Sequence, residues 1–137
     1  MADTVEFELV APEELLFSEP VELVVVPGAE GDFGVLPGHS PLISTVRTGI
    51  IAIYENDTVN RRIFVSGGFA EVTPERCTVL ADEAVALESA NRSDVEARVK
   101  TDRETLESAP DDDKDAAAAA LAISEALLLA LDTAGQA

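Results

Sequence analysis

The first eighty or so residues alternate on a period of two. In T-V-E-F-E-L-V, Val5, Phe7 and Leu9 fall on one face and Glu6 and Glu8 on the other. That is the pattern of a strand with one buried side. Residues 21–27, V-E-L-V-V-V-P, are β-branched at consecutive positions, which predicts a strand covered on both faces. G-I-I-A-I-Y-E, R-R-I-F-V-S-G-G-F-A-E-V-T and C-T-V-L-A continue the series. Turn signals fall at Pro12, Pro27-Gly28, Pro37-Gly38, Gly49, Asn56-Asp57, Gly67-Gly68 and Thr73-Pro74. A spacing of roughly ten residues with no helical stretch between predicts an antiparallel sandwich or barrel.

After Glu88 the period changes. Ser93-Asp-Val-Glu96 reads as a capping box. Val95, Val99 and Leu106 then fall near one helical face. Ser108-Ala-Pro-Asp-Asp-Asp interrupts, and Asp111, Asp112 and Asp113 stand where a second helix begins, at the end that favours acids. The alanine run and L-A-I-S-E-A-L-L-L-A-L that follow are strong helix formers. Two helices and a short loop predict an antiparallel hairpin. Leu121, Leu128 and Leu131 are expected to pack between them. The reading is therefore a mainly β domain over residues 1–88 followed by a helical hairpin over 89–137.

Composition narrows the partners. Hydrophobic residues make up 47% of the 137-residue chain, too many for disorder despite the charge. With no Trp and 4% aromatics, the core must be aliphatic. The net charge is −18. Residues 1–88 carry 16 acids against 4 bases, and 89–137 carry 11 against 5. Such a surface repels nucleic acid and anionic lipid and attracts a basic protein partner. The single cysteine, Cys77, forms no internal disulfide. Met-Ala-Asp opens without a basic and apolar leader pattern, so no secretory signal is expected. The longest unbroken apolar run, residues 116–123, falls short of the roughly 20 residues that span a bilayer. No direct membrane insertion is expected.

The loop G-A-E-G-D-F-G-V-L-P-G-H-S-P-L, residues 28–42, holds close glycines and the sole histidine. A phosphate loop needs Gly-Lys-Ser/Thr opening a helix. Here Lys100 and Lys114 are the only lysines, and Val35-Leu36-Pro37 follows the glycines. His39 could act with Ser40 or Asp32, or with Cys77, but no nucleophile elbow or oxyanion site accompanies it. One His and one Cys do not make a nitrogen–sulfur metal site. Glu13-Glu14, Glu71/Glu75 and Asp82-Glu83 read as solvated faces rather than acid/base pairs. Gly67-Gly68 reads as a tight turn or a close strand approach. The residues by themselves favour a binding or structural module.

Three ordered motifs go further. G-D-F-G-V-L-P-G-H-S-P-L, F-V-S-G-G-F-A-E-V and T-V-L-A-D-E-A, with the opening F-E-L-V-A-P-E-E-L-L-F-S, resemble the epsilon subunit of F-type ATP synthases. The resemblance implies a β-sandwich of about ten strands plus two helices. It implies a rotor subunit of the central stalk that carries no catalytic residue and no cofactor. Its implied partners are the gamma subunit, the c-subunit ring and, through the hairpin, the alpha and beta subunits. Its implied place is the cytoplasmic face of a bacterial inner membrane, as a peripheral protein. Asp32 and His39 match positions that face the c ring, whose loops carry a basic residue in that family, and Asp32 is the stronger candidate. In many relatives the hairpin extends and blocks hydrolysis through bases of its last helix. Residues 115–137 here hold no Lys or Arg, only Asp115, Glu125 and Asp132, so a coupling subunit with little or no inhibition is expected. The alternative is an ATP-responsive inhibitory regulator. Its nucleotide candidate is Arg98 in Asp94-Val-Glu-Ala-Arg98-Val99, where Asp94, Val95 and Val99 depart from the Ile/Leu-Asp-x-x-Arg-Ala pattern. A ligand-binding sandwich and a hydrolase using His39 complete the readings.

Overall fold

Alternation becomes burial in the first strand. In β1 (Val5–Ala11), Val5, Phe7 and Leu9 are fully buried while Glu6 and Glu8 lie on the other face. The structure is a computed structural model that describes residues 4–12 and 14–134. Glu13, and with it the Glu13-Glu14 pair, lies outside the described residues. Cα packing divides the chain into two units, residues 1–88 and 89–137.

The first unit holds β2 (Glu14–Val21), β3 (Leu23–Gly28), β4 (Gly31–Val35), β5 (Leu42–Val46), β6 (Gly49–Glu55), β7 (Thr58–Val65), β8 (Gly68–Val72), β9 (Arg76–Ala81) and β10 (Ala84–Ala86). Their order is β10-β7-β6-β3-β5-β8-β9-β1-β2, with β4 also on β3. β3 makes the curl. Val24 pairs with Ile53 of β6, whereas Gly28, at its far end, pairs with Val46 of β5. One continuous ladder thus folds over itself into a sandwich. Between its layers lie Val24, Val26, Val35, Ile51, Ile63, Val65, Val72, Cys77 and Val79, with Phe7 and Leu9. The core is mainly aliphatic, as composition requires, but its two largest fully buried side chains are Phe7 and Phe64. Phe17 of β2 stacks tilted on Phe7, ring centres 5.5 Å apart. The guanidinium of Arg61 on β7 caps Phe17 from 5.0 Å, an interaction favoured by the ring's negative face.

Two strand expectations change. The ladder is antiparallel except at β1 and β9, which run parallel with Phe7 opposite Cys77. No hairpin joins them, since seven strands lie between in sequence, so the direction of their pairing is set by packing rather than by a turn. β3 buries Val24 and Val26 fully, but Leu23 and Val25 only in part. Its second face is half covered.

The turns follow their residues. Asn56 and Asp57 adopt positive φ, 54° and 64°, the two-residue hairpin conformation that suits strand twist. Gly68 has φ of 128°, and a Cβ there would stand 2.0 Å from the Leu80 carbonyl oxygen. Only glycine lets β8 and β9 approach so closely.

In the second unit, α1 (Arg92–Ser108) and α2 (Lys114–Ala134) run antiparallel. Arg92 at the start of α1 pairs with Asp132 near the end of α2, and Arg103 with Glu125 at 3.2 Å. The N-cap is Asn91, not the expected Ser93: its side-chain oxygen accepts from the Asp94 amide at 3.2 Å. Glu96, freed from a capping box, pairs with Arg92 at 2.8 Å. Ala109 precedes Pro110 and is extended, which ends α1. Asp111–Asp113 form a single 3-10 turn ahead of α2. The buried line of α2 is Ala117, Ser124 and Leu127. Leu121, Leu128 and Leu131 flank it half-buried.

Candidate functional site

Two features of the sandwich surface stand out against its acidic background. The first is the β3–β4 hairpin. Gly28 pairs with Gly31 and Pro27 with Asp32, and a Cβ at Gly28 would meet the Gly31 carbonyl oxygen at 2.7 Å. The turn is compact, and it sets Asp32 one residue inside β4. Arg47, just past β5, crosses to it. One guanidinium nitrogen donates to the Gly28 carbonyl at 2.6 Å, and another to Asp32 Oδ1 at 2.5 Å. The Arg47 amide donates to the Pro27 carbonyl at 2.8 Å. The Asp32 side chain remains 60% exposed.

His39 lies elsewhere. Its amide donates to the Leu36 carbonyl at 3.2 Å, and its neighbour Gly38 donates to Pro74 in the β8–β9 turn at 2.7 Å. Its Nδ1 sits 2.7 Å from the Ser40 carbonyl oxygen. Asp32 belongs to the Gly28, Val46 and Gly68 end of the strands, and His39 to the Leu42, Val72 and Pro74 end. Four residues of strand, about 13 Å of rise, run from Asp32 to Leu36. The sequence reading joined Asp32 and His39 in one loop surface; the strand between them separates the two.

The second feature was not read from the sequence. On the outward face of β5-β8-β9-β1-β2, cross-strand partners run Thr45, Phe69, Leu80, Val10, Leu15. Phe69 is 59%, Leu80 53% and Leu15 58% exposed. Ile43, diagonal to Phe69, is 73% exposed. The next row begins at Ile43 and is otherwise polar: Glu71, Thr78 and Glu8, with Arg76 paired to Glu8 at 2.5 Å. A contiguous apolar row edged by charge is the surface of a contact site. Its signal was present in apolar residues at outward-facing strand positions, but only the register of four ladders aligns them.

The remaining candidates find other settings. Cys77 is fully buried on β9, and burial pushes its thiol up to about 12; a protonated core thiol is no nucleophile. Glu71 and Glu75 are exposed, as is Asp82. Arg98, half-buried on α1, holds its Nε 3.9 Å from Asp102 of the next turn. Among the described residues no three or more His, Cys, Asp or Glu are grouped to hold a metal ion. A surface pocket of about 170 Å³ lies by Glu19, Glu22, Tyr54, Glu55 and Asn60, smaller than the roughly 300 Å³ at which ligand clefts begin.

The fold defines a class, a curled β-sandwich followed by a helical hairpin, and comparison with known proteins gives the family. The model of the ATP synthase delta/epsilon chain β-sandwich domain matches residues 4–87. An ATP synthase epsilon chain of Rhodospirillum rubrum is 60% identical over 131 residues, covering 95% of this chain and 98% of its own. That of Paramagnetospirillum magneticum is 48% identical over 132 residues, covering 96% and 99%. A chain in the cryo-EM structure of Euglena gracilis mitochondrial ATP synthase, OSCP/F1/c-ring, superposes with a TM-score of 0.77 at 26% identity, covering 96% of this chain and 83% of that one. A chain of the Tetrahymena thermophila central stalk and c-ring shares the fold, with a TM-score of 0.57 at 14% identity and coverage of 93% and 96%. The chain belongs to the ATP synthase epsilon chains. It is thereby a component of a membrane-associated complex.

Proposed function

We propose that this chain is a non-catalytic subunit of the central stalk, coupling rotation of the c ring through gamma to ATP synthesis. The observation that carries the reading is the largely exposed row Phe69, Leu80, Val10 and Leu15 on a chain of net charge −18. It offers a broad apolar face and no chemistry, which suits a permanent partner such as gamma. The Asp32 turn supplies a second, polar contact, held in a fixed shape and facing solvent. It suits a basic loop of the c ring, where preorganisation lowers the ordering cost of docking. His39, at the other end of β4, shares no contact point with Asp32 and stands as a separate candidate for c-ring docking.

The hairpin has a different character. α2 with its leading turn, residues 111–133, is long and apolar enough to cross a bilayer by length and composition, which the count of unbroken apolar residues did not reveal. Its Glu125 and Asp132 are engaged by Arg103 and Arg92 of α1. We therefore assign it to the hairpin and the chain to the cytoplasmic face of a bacterial inner membrane, as a peripheral subunit. With no base beyond Lys114, α2 is repelled by an acidic surface of the catalytic head, so the hairpin inhibits hydrolysis weakly or not at all. A nucleotide titration of the full chain tests the ATP-responsive alternative through Arg98.

The direct test is affinity for isolated gamma. Phe69→Ser and Leu80→Ser are each expected to weaken it by about tenfold or more, with the thermal midpoint lowered only slightly because each side chain is more than half exposed and loses one cross-strand pair. Undiminished affinity in the double variant would contradict the assignment.

A further inference from the structure

We infer that Arg47 is a positioning residue of the c-ring contact, acting through Asp32; the inference rests on the docking role proposed for that carboxylate. In residues 1–60 Arg47 is the only base, and it stands beside the one carboxylate assigned to a cationic partner. Two roles are open to a cation in that place. As a competitor it would neutralise Asp32 and weaken docking. As a positioner it would hold the carboxylate ready.

The geometry points to the second role. One guanidinium nitrogen is bound to the Gly28 carbonyl at 2.6 Å and another to Asp32 Oδ1 at 2.5 Å. The backbone on either side is tied to the same hairpin: the Arg47 amide donates to Pro27, and the Ala29 amide to Thr45 at 2.8 Å. The guanidinium is therefore fixed to main chain independently of Asp32. It engages one carboxylate oxygen and leaves the side chain 60% exposed. A carboxylate has lone pairs for more than one donor, so a partner's cation can bind without displacing Arg47. Lysine, a single ammonium on a flexible stem, does not reproduce a planar fork that spans two acceptors.

The experiment uses the full chain assembled with gamma, titrated with detergent-solubilised c rings. Asp32→Asn is expected to weaken c-ring affinity on the order of fivefold. Arg47→Ala and Arg47→Lys are each expected to weaken it about twofold to fivefold, the scale of an exposed charge pair. In the Asp32→Asn background, Arg47→Ala should cost nothing further, because its effect passes through Asp32. Affinity for gamma and the thermal midpoint serve as controls that a merely structural role would move. Should Arg47→Ala fold poorly, Arg47→Lys, which keeps the charge, carries the test. Tighter c-ring binding in Arg47→Ala would establish competition and overturn the inference. So would a loss that persists without Asp32, or Arg47 variants that match the parent while Asp32→Asn weakens binding. No effect of Asp32→Asn would instead overturn the docking role itself.

Discussion

Gly68 shows how much one residue can decide. Its φ of 128° and the Leu80 carbonyl 2.0 Å from any added Cβ leave no room for a side chain, and the obstacle is backbone. Gly68→Ala should destabilise the sandwich by about 2–4 kcal/mol, read from urea unfolding. A loss below about 0.5 kcal/mol, as at an ordinary surface site, would contradict the packing. Cys77 gives a pH dependence. Burial raises its thiol from an ordinary 9.0 to about 12. As pH rises the unfolded chain releases this proton first, so stability is full below about 9 and falls as pH climbs toward 12. Between pH 8 and 10.5 the urea midpoint should fall more for the parent than for Cys77→Val. Equal falls would show that the thiol contributes nothing. At this scale the sequence was partly legible. Gly67-Gly68 announced a close approach, and Asp32 stood out. Its partnership with Arg47 did not, because fifteen residues of chain separate them and only the curl at β3 brings them together.

Elements were more legible than their neighbours. Period-two alternation located β1 because one face of it is buried, and the Asn56-Asp57 turn located the β6–β7 hairpin because few residues tolerate positive φ. The parallel pairing of β1 and β9 left no local trace, since no turn encodes it. Nor did the apolar row, which requires the register of four ladders. The helices failed at a finer level: Asn91 and Ser93 both suit an N-cap, and backbone geometry chose Asn91. Asn91→Ala should therefore lower hairpin stability by about 1 kcal/mol, while Ser93→Ala leaves it nearly unchanged. Circular dichroism of thermal unfolding distinguishes the two, and the reverse order would restore the capping box. Ser124, fully buried and donating to the Leu121 carbonyl at 3.2 Å, marks the tight line of α2. Ser124→Leu should cost about 1–3 kcal/mol by overpacking.

At the scale of the molecule, a sandwich with an apolar row and a polar turn is joined to a hairpin whose second helix carries no base after Lys114. The chain offers surfaces for partners and no residue set for chemistry among the described residues. Family membership was legible from three motifs because they build the β3–β4 hairpin, the Gly67-Gly68 approach and β9, which the fold requires. The most direct test is ATP-driven proton pumping relative to ATP hydrolysis in vesicles carrying the whole complex. It compares the parent, the chain ended after Glu88, and full-length Phe69→Ser/Leu80→Ser. The account predicts that the shortened chain keeps the parent's ratio and hydrolysis rate, while the surface variant loses pumping. A several-fold rise in hydrolysis on shortening would make the hairpin a brake, and full pumping by the surface variant would contradict coupling through the sandwich.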